Sequence, residues 1–280
     1  MGTLYLVATP IGNLEDISQR ALRTLDQVAL IAAEDTRHTA KLLSHYNIRT
    51  PVTSYFEYNK LSKLDQVLNA LESGDVALVS DAGTPALNDP GFELVKAALE
   101  HGYRVSPIPG PSASVAALVI SGLPGDAFLY LGYLPRKQND RRQFLSRVAD
   151  QPYTLIFLES PHRLVASLTD MLDLLGDRDI CVARELTKMH EEVLRGKLQQ
   201  ILAHFQNQPA RGEFTLVLAG ASITQSRWSE EQIRSAIQQQ LLSGEPASRI
   251  AGNLSLHSGW PRREIYTLVN HLQSADELGS

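Results

Sequence analysis

The residues of this 280-residue chain best suited to chemistry lie in short segments that each follow an apolar, strand-like run. Open α/β sheets place their ligand sites at such strand ends. The first segment is Thr9-Pro-Ile-Gly-Asn-Leu-Glu-Asp16. Pro10 and Gly12 hold the backbone stiff and close, which suits a small ligand lying against main chain; a tight strand-to-helix turn would read the same way. The segment lacks G-x-G-x-x-G and G-x-x-x-x-G-K, which disfavours a dinucleotide or a nucleoside triphosphate. The second, Ser80-Asp-Ala-Gly-Thr-Pro85, offers Asp81 to accept hydrogen bonds from amine or hydroxyl groups and Gly83 for close backbone approach. Asp89, a little further on, reads as a helix cap before Pro90. The third is Pro109-Gly-Pro-Ser-Ala113, where Ser112 can cap a helix whose free amides can also meet a polar ligand. Last come Glu34-Asp-Thr-Arg-His38 and Arg184-Glu-Leu-Thr-Lys-Met-His-Glu-Glu192, which pack carboxylates and cations just after strands. Structural ion pairs account for any single member of these two; together they offer acid, base and phosphate-binding groups. His38 and His190 lack the spacing of a metal site and Cys181 is the sole cysteine, so no metal is expected.

The elements that must position these residues alternate short β-rich runs with amphipathic helices, the pattern of α/β folds. Strands are expected at Leu4–Ala8, Ala29–Ala33, Val76–Val79 and Val105–Ile108. Asp16 with Gln19 predicts a capped helix carrying Ile17, Ala21, Leu25 and Val28 on one face. Asn59 predicts the start of a second helix, with Leu61, Leu64, Leu68 and Leu71 at helical spacing; Asp89–Pro90 predicts a third that ends at Gly102. A breaker-rich stretch, Ser121-Gly-Leu-Pro-Gly-Asp126, reads as a hinge. Beyond it, strands are expected at Phe128–Leu131, Thr154–Leu158, Ile180–Ala183 and Phe214–Ala219, with helices near Asp140–Val148, Leu164–Leu175 and Leu198–Phe205. After Ser222 the pattern is helical only. The organisation expected is an α/β lobe over 1–121, a second over 122–221, and a helical tail over 222–280.

Composition narrows the class. The chain is 43% hydrophobic and 20% charged with a net charge of −5, ordinary for a soluble globular protein and unlike a protein that coats nucleic acid. No apolar run reaches the roughly 18 residues of a membrane span, and the N-terminal strand lacks the features of a signal peptide, so a cytoplasmic protein is expected. Arg136, Lys137, Arg141, Arg142 and Arg147 form a basic cluster, read as a solvated face.

Taken together and in order, the segments above resemble a known family. They are joined by Gly132-Tyr-Leu-Pro135, Glu159-Ser-Pro-His-Arg163 and Gly212-Glu213. The set is similar to the bacterial small-subunit ribosomal RNA (cytidine-2′-O)-methyltransferases of the tetrapyrrole-methylase-like superfamily, and the resemblance covers nearly the whole chain. It implies two α/β lobes with S-adenosyl-L-methionine in the cleft between them, a homodimer, and the ribose of a cytidine in small-subunit rRNA as substrate. It places cofactor contacts at Pro10, Ile11, Asp81, Thr84, Ser112 and Ala113, with Leu158 and Arg184 from the second lobe. The chain departs from the family at Tyr58 and Lys60, where histidine and glutamate are usual, and at Met189–His190; no catalytic histidine is assigned there.

A ribose hydroxyl needs a base or a cation that stabilises the developing alkoxide. By charge and loop position Asp35 is the candidate proton acceptor, with Arg37 and Lys188 as candidates to hold phosphate or the alkoxide. Two alternatives remain at this point: a methyltransferase acting on a tetrapyrrole or other small molecule, and a non-catalytic RNA-binding protein built around the tail.

Overall fold

The computed structural model describes residues 2–56, 60–222, 228–255 and 257–278, and within it residues 1–221 form one compact unit and 222–280 another. The first unit holds two five-stranded sheets. In sheet one, β1 (Thr3–Val7), β2 (Leu30–Ala33), β3 (Val52–Ser54), β4 (Val76–Val79) and β5 (Arg104–Ile108) lie in the order β3-β2-β4-β1-β5, and every pairing is parallel. Parallel strands covered on both faces read as continuous apolar runs. Val-Ala-Leu-Val of β4 is such a run and is buried at every position. One face packs on Leu68 and Leu71 of α3 (Lys60–Ser73) and on Leu94 and Ala98 of α4 (Phe92–Glu100). The other packs on Ala21 and Leu25 of α1 (Gln19–Gln27) and on Leu42 and Leu43 of α2 (Thr36–His45). Because all five strands run the same way, the segments that follow β1, β2, β4 and β5 emerge along one edge.

Sheet two is mixed. Its strands β6 (Phe128–Tyr133), β7 (Thr154–Glu159), β8 (Asp179–Arg184), β9 (Glu192–Lys197) and β10 (Phe214–Leu218) lie in the order β6-β7-β10-β8-β9. Strand β10 runs antiparallel to both β7 and β8, and Phe214 faces Glu159 on one side and Arg184 on the other. The start of β10 therefore shares an edge with the ends of β7 and β8. Three helices, α6 (Gln138–Arg147), α7 (Leu164–Leu175) and α8 (Leu198–Asn207), cover one face. The other is covered by α5 (Ala113–Ser121), whose Ala117 and Leu118 cluster with Ile156, Cys181 and Val217. A helix that the sequence assigns to the first lobe thus packs on the second sheet.

Several local expectations are corrected. Ser18, not Asp16, caps α1: its hydroxyl accepts from the Ala21 amide, while Asp16 ends a short 3-10 turn capped by Asn13. Gly91 stands at the N-cap of α4, so Asp89 is no cap. Ser112 stands at the N-cap of α5, but its side chain makes no capping hydrogen bond. The helix start expected at Asn59, and Tyr58 beside it, lie outside the described residues. The basic cluster is not a plain solvated face. Arg141 is 4% exposed and pairs with Asp170 at 2.7 Å, and Arg142 bridges Asp170 and Asp173.

The second unit packs α9 (Glu230–Leu242), α10 (Ala247–Ser255) and α11 (Arg262–Leu278) around Ile233, Ile237, Ile250, Leu254, Ile265 and Val269. Ser229 and Gln232 form a capping box on α9. Among the described residues no helix is long and apolar enough to cross a membrane.

Candidate active site

Strand ends from both sheets meet at one place. Thr9 and Gly83 exchange backbone hydrogen bonds of 2.9 and 3.0 Å, which stitches the segment after β1 to that after β4. The Asp81 carboxylate accepts from the Asp35 amide (3.1 Å), and the Asp81 amide donates to Glu34 Oε2 (3.2 Å), adding the end of β2. In the second sheet the Glu185 amide donates to the Glu213 carbonyl, and the Glu213 amide donates to Glu185 Oε1. Lys188 Nζ donates to both Glu185 Oε1 and Glu213 Oε2 at 2.9 Å. The two halves touch through Gly12, where an added Cβ would lie 2.4 Å from Lys188 Cγ and 2.8 Å from Thr187 Oγ1. Only glycine permits that approach.

Between these segments lies a cavity of about 250 Å3, bounded on one side by Ile11, Asp81, Thr84 and Ala113 and on the other by Tyr130, Tyr133, Leu158 and Lys188. Asn88 spans it, donating to the Tyr130 hydroxyl at 2.8 Å. Backbone strain gathers here: Ala86, Asn88, Glu185 and Thr187 all have positive φ, a costly conformation for residues other than glycine. Gly132 is required by the same contact, since a Cβ there would lie 2.3 Å from the Asn88 amide nitrogen. A second cavity of about 580 Å3 opens beside the first, and the two share Ile11, Asp81, Ala82, Lys188 and Glu213.

The electrostatics of the first cavity are acidic. Glu34, Asp81, Asp89 and Glu213 line it against the single cation Lys188. Burial, reinforced by Glu34 and Asp81, pushes the Asp89 carboxyl up to about 6. Burial also raises Glu34, against the opposing hydrogen bond from the Asp81 amide. Burial alone would lower the Lys188 ammonium, but its hydrogen bonds to Glu185 and Glu213 outweigh this and hold it above its ordinary value. Lys188 is therefore a fixed cation. Such a cavity, four carboxylates around one tethered ammonium, favours a ligand that brings positive charge of its own.

Of the residues singled out in the sequence, Ile11, Asp81, Thr84, Ser112, Ala113, Leu158 and Lys188 line the first cavity, and Pro10 lines the second. Arg184, Asp35 and Arg37 line neither. The Arg184 guanidinium turns to Glu192 (3.1 Å) and to the Arg211 carbonyl (2.7 Å). Asp35 caps α2 and binds Arg37 through both carboxylate oxygens, and that pairing holds its carboxyl well below the usual range. A carboxylate so held is a poor base. The sequence reading gave no role to Asn88, Tyr130 and Tyr133, and assigned Asp89 to a cap. Glu213 stood in the Gly212-Glu213 motif, but its tie to Lys188 lies 25 positions away and left no local signal.

Comparison with known proteins bears on what this site does. Residues 3–202 match the family model described as Tetrapyrrole (Corrin/Porphyrin) Methylases. A protein of Synechocystis named Ribosomal RNA small subunit methyltransferase I is 47% identical over 277 residues, 98% of this chain and 99% of its own. This chain belongs to the ribosomal RNA small subunit methyltransferase I family. A Thermotoga maritima member of the same name is 46% identical over 221 residues, which cover 79% of this chain and 99% of that protein. The fold is also that of a solved uroporphyrin-III C-methyltransferase from Thermus thermophilus, described as complexed with S-adenyl homocysteine. Its TM-score is 0.55 and its identity 21%, with 77% of this chain and 97% of that one covered.

Proposed function

We propose that this protein transfers the methyl group of S-adenosyl-L-methionine to the ribose 2′-oxygen of a cytidine in small-subunit ribosomal RNA. The family supplies the substrate class; the observation that carries the reading at the site is the acidic cavity between the two sheets. S-adenosylmethionine has a sulfonium and an ammonium, and Glu34, Asp81, Asp89 and Glu213 are the groups that would hold two positive charges. Thr84 and Ala113 on the cavity wall, with the apolar walls Ile11 and Leu158, fit the remainder of the ligand. When bound, the cofactor supplies an electrophilic methyl; the carbon–sulfur bond breaks as the carbon–oxygen bond forms, and the hydroxyl proton leaves. Lys188, at the wall common to both cavities, stabilises the negative charge that develops on the ribose oxygen. Glu213, bound to Lys188 and lining both cavities, holds that ammonium at the shared wall, and the hydroxyl proton passes to solvent. Asp35 and Arg37 serve as a capping pair at the end of β2, with the Arg37 guanidinium, 88% exposed, facing RNA phosphate. In this reading the protein works as a cytoplasmic homodimer.

Transfer of labelled methyl from S-adenosylmethionine to small subunits from a strain lacking this gene tests the proposal, with uroporphyrinogen as a parallel acceptor. Label in the subunit RNA supports it; label in the tetrapyrrole alone overturns it.

Two further results are expected. The first concerns Asp89. Its folded-state carboxyl titrates near 6, above the ordinary 3.8, so between those values the folded chain holds a proton that the unfolded chain has released. Stability therefore falls as pH rises from about 4 to 6, and the cost persists above 6. Asp89→Asn removes it and should stabilise the free protein at pH 7 by about 1–3 kcal/mol, a Tm rise of roughly 2–4 °C per kcal/mol. It should also weaken binding of the cationic cofactor, whose affinity in the unaltered protein declines as pH drops below 6. Calorimetry across pH 5–8 checks both; equal Tm and equal affinity in the two proteins would exclude Asp89 from the site.

The second concerns residues 222–280, which we propose position RNA. Arg262 and Arg263 stand at the start of α11, behind Pro261, where free amides also meet phosphate. In this reading the tail adds RNA affinity and no chemistry. Removing 222–280 should leave the cofactor Kd within about twofold and raise KM for subunits roughly tenfold or more, a loss of about 1.4 kcal/mol. Steady-state kinetics at saturating cofactor give the answer; an unchanged KM would make the tail a cover for some other surface.

A further inference from the structure

The second cavity, beside the cofactor cavity, is built from the opposite side of the segment after β1 and from α2. Pro10, Ile11, Leu14 and Leu42 form its apolar wall, and His38 and Lys41 stand on its exposed rim. Its volume of about 580 Å3 falls within the roughly 300–1,000 Å3 of small-ligand sites. Its walls are braced to one another. The Tyr46 hydroxyl at the end of α2 donates to the Leu14 carbonyl at 2.7 Å, Asn13 caps the turn that holds Leu14, and the Thr9–Gly83 pair fixes the other side. Charge separates the two cavities. The first carries the carboxylates Glu34 and Asp89, which repel phosphate. The second shares Asp81 and Glu213 but lacks Glu34 and Asp89 and gains two basic side chains, with Lys188 at the shared wall. Lys41 has no ion-pair partner among the described residues, whereas Arg37, one turn earlier, is held by Asp35.

We infer that this second cavity receives the target nucleotide: its apolar wall takes the base and ribose, Lys41 and His38 bind the flanking phosphates, and the 2′-oxygen faces the cofactor cavity at Lys188. The inference rests on the function proposed above and adds the place where RNA enters. A single phosphate contact of this type contributes affinity and about one unit of salt slope, and little to the chemistry.

Lys41→Glu tests it, because the side chain is exposed and its replacement leaves the core untouched. At saturating S-adenosylmethionine, KM for small subunits should rise at least tenfold with kcat within about twofold, the salt slope should fall by about 1, and the cofactor Kd should stay at the unaltered value. Lys41→Arg should restore most of the lost affinity. Leu14→Trp, which fills the cavity from its partly exposed wall, should raise KM likewise without altering cofactor binding. If the unaltered protein methylates subunits and both Lys41→Glu and Leu14→Trp do so at its KM, the RNA enters elsewhere and the inference is wrong. A rise in cofactor Kd in these variants would assign the cavity to the cofactor instead and also overturn it. An unaltered protein that is inactive on subunits overturns the function proposed above, and this inference with it.

Discussion

Lys188→Met is expected to bind S-adenosylmethionine almost as well as the unaltered protein and to methylate small subunits about 10²–10³ times more slowly, the usual cost of removing one group that stabilises a developing oxyanion. The expectation rests on where the ammonium is held. Two carboxylates 2.9 Å away fix it at the wall shared by both cavities, and Gly12 leaves the room for its side chain to lie there. Its place at the wall common to both cavities makes it, in the function proposed above, a group for the acceptor side. Methionine keeps most of the apolar stem, and the pair it breaks is partly exposed, so the stability change should stay near 1 kcal/mol or less. The discriminating readout is the division between constants: kcat falls, while KM and cofactor Kd move by less than about threefold. A variant that loses cofactor binding, or that retains its rate, would remove Lys188 from the acceptor side. Gly12→Val, which must displace Lys188 or the loop, should show a loss of rate of similar size.

Thr84→Arg is expected to lower cofactor affinity about 100-fold, or 2.8 kcal/mol at 1.4 kcal/mol per tenfold, while the protein remains folded. Thr84 is exposed on the cavity wall, and its one hydrogen bond, to the Pro111 carbonyl, is long at 3.5 Å. An arginine there costs little stability, as surface substitutions do. It fills a space of about 250 Å3 and lends its own positive charge to Asp81, Asp89 and Glu213. The ligand's charges then meet carboxylates already neutralised. Asp81→Ala should weaken binding by a smaller factor, since it removes one carboxylate and also frees the Asp35 amide that holds the end of β2. Isothermal calorimetry separates these cases, with thermal unfolding as the control for folding. Unchanged binding in both variants would take the segment after β4 out of the site.

Much of this site was legible in the sequence because it is written in punctuation. Prolines and glycines mark the segments that hold Asp81 and Ser112, and a parallel sheet delivers every such segment to one edge. The family resemblance then picks out Ile11, Thr84 and Ala113 within these segments, and all of them line the cavity with Asp81. Long-range pairing was not legible. Arg142 and Asp170 lie 28 positions apart and Lys188 and Glu213 lie 25 apart, and no local pattern joins them. Short or polar elements were missed for a related reason. Strand β3 has three residues, β9 carries Glu192, Arg195 and Lys197 among its six, and α2 begins inside a motif that reads as a loop. Missing β3 also made β4 the third strand rather than the fourth, although its loop was placed correctly. Asp89 was misassigned because Asp-Pro is a helix-start signal, and here the helix waits for Gly91. Asp35 was chosen as a base for its position alone. Its bidentate pairing with Arg37 makes it a cap of low basicity, and only geometry could reveal that.

The central claim, methylation at a ribose oxygen of small-subunit RNA, is tested most directly by the chemical identity of the product. Small subunits from a strain lacking this gene are incubated with the protein and labelled S-adenosylmethionine, and their RNA is digested to nucleosides and resolved by mass. The account predicts the label in 2′-O-methylcytidine, resistant to alkaline cleavage at its 3′ phosphate, and its loss with Lys188→Met. Label recovered in a base-methylated nucleoside, or none in RNA while the cofactor binds tightly, would contradict it.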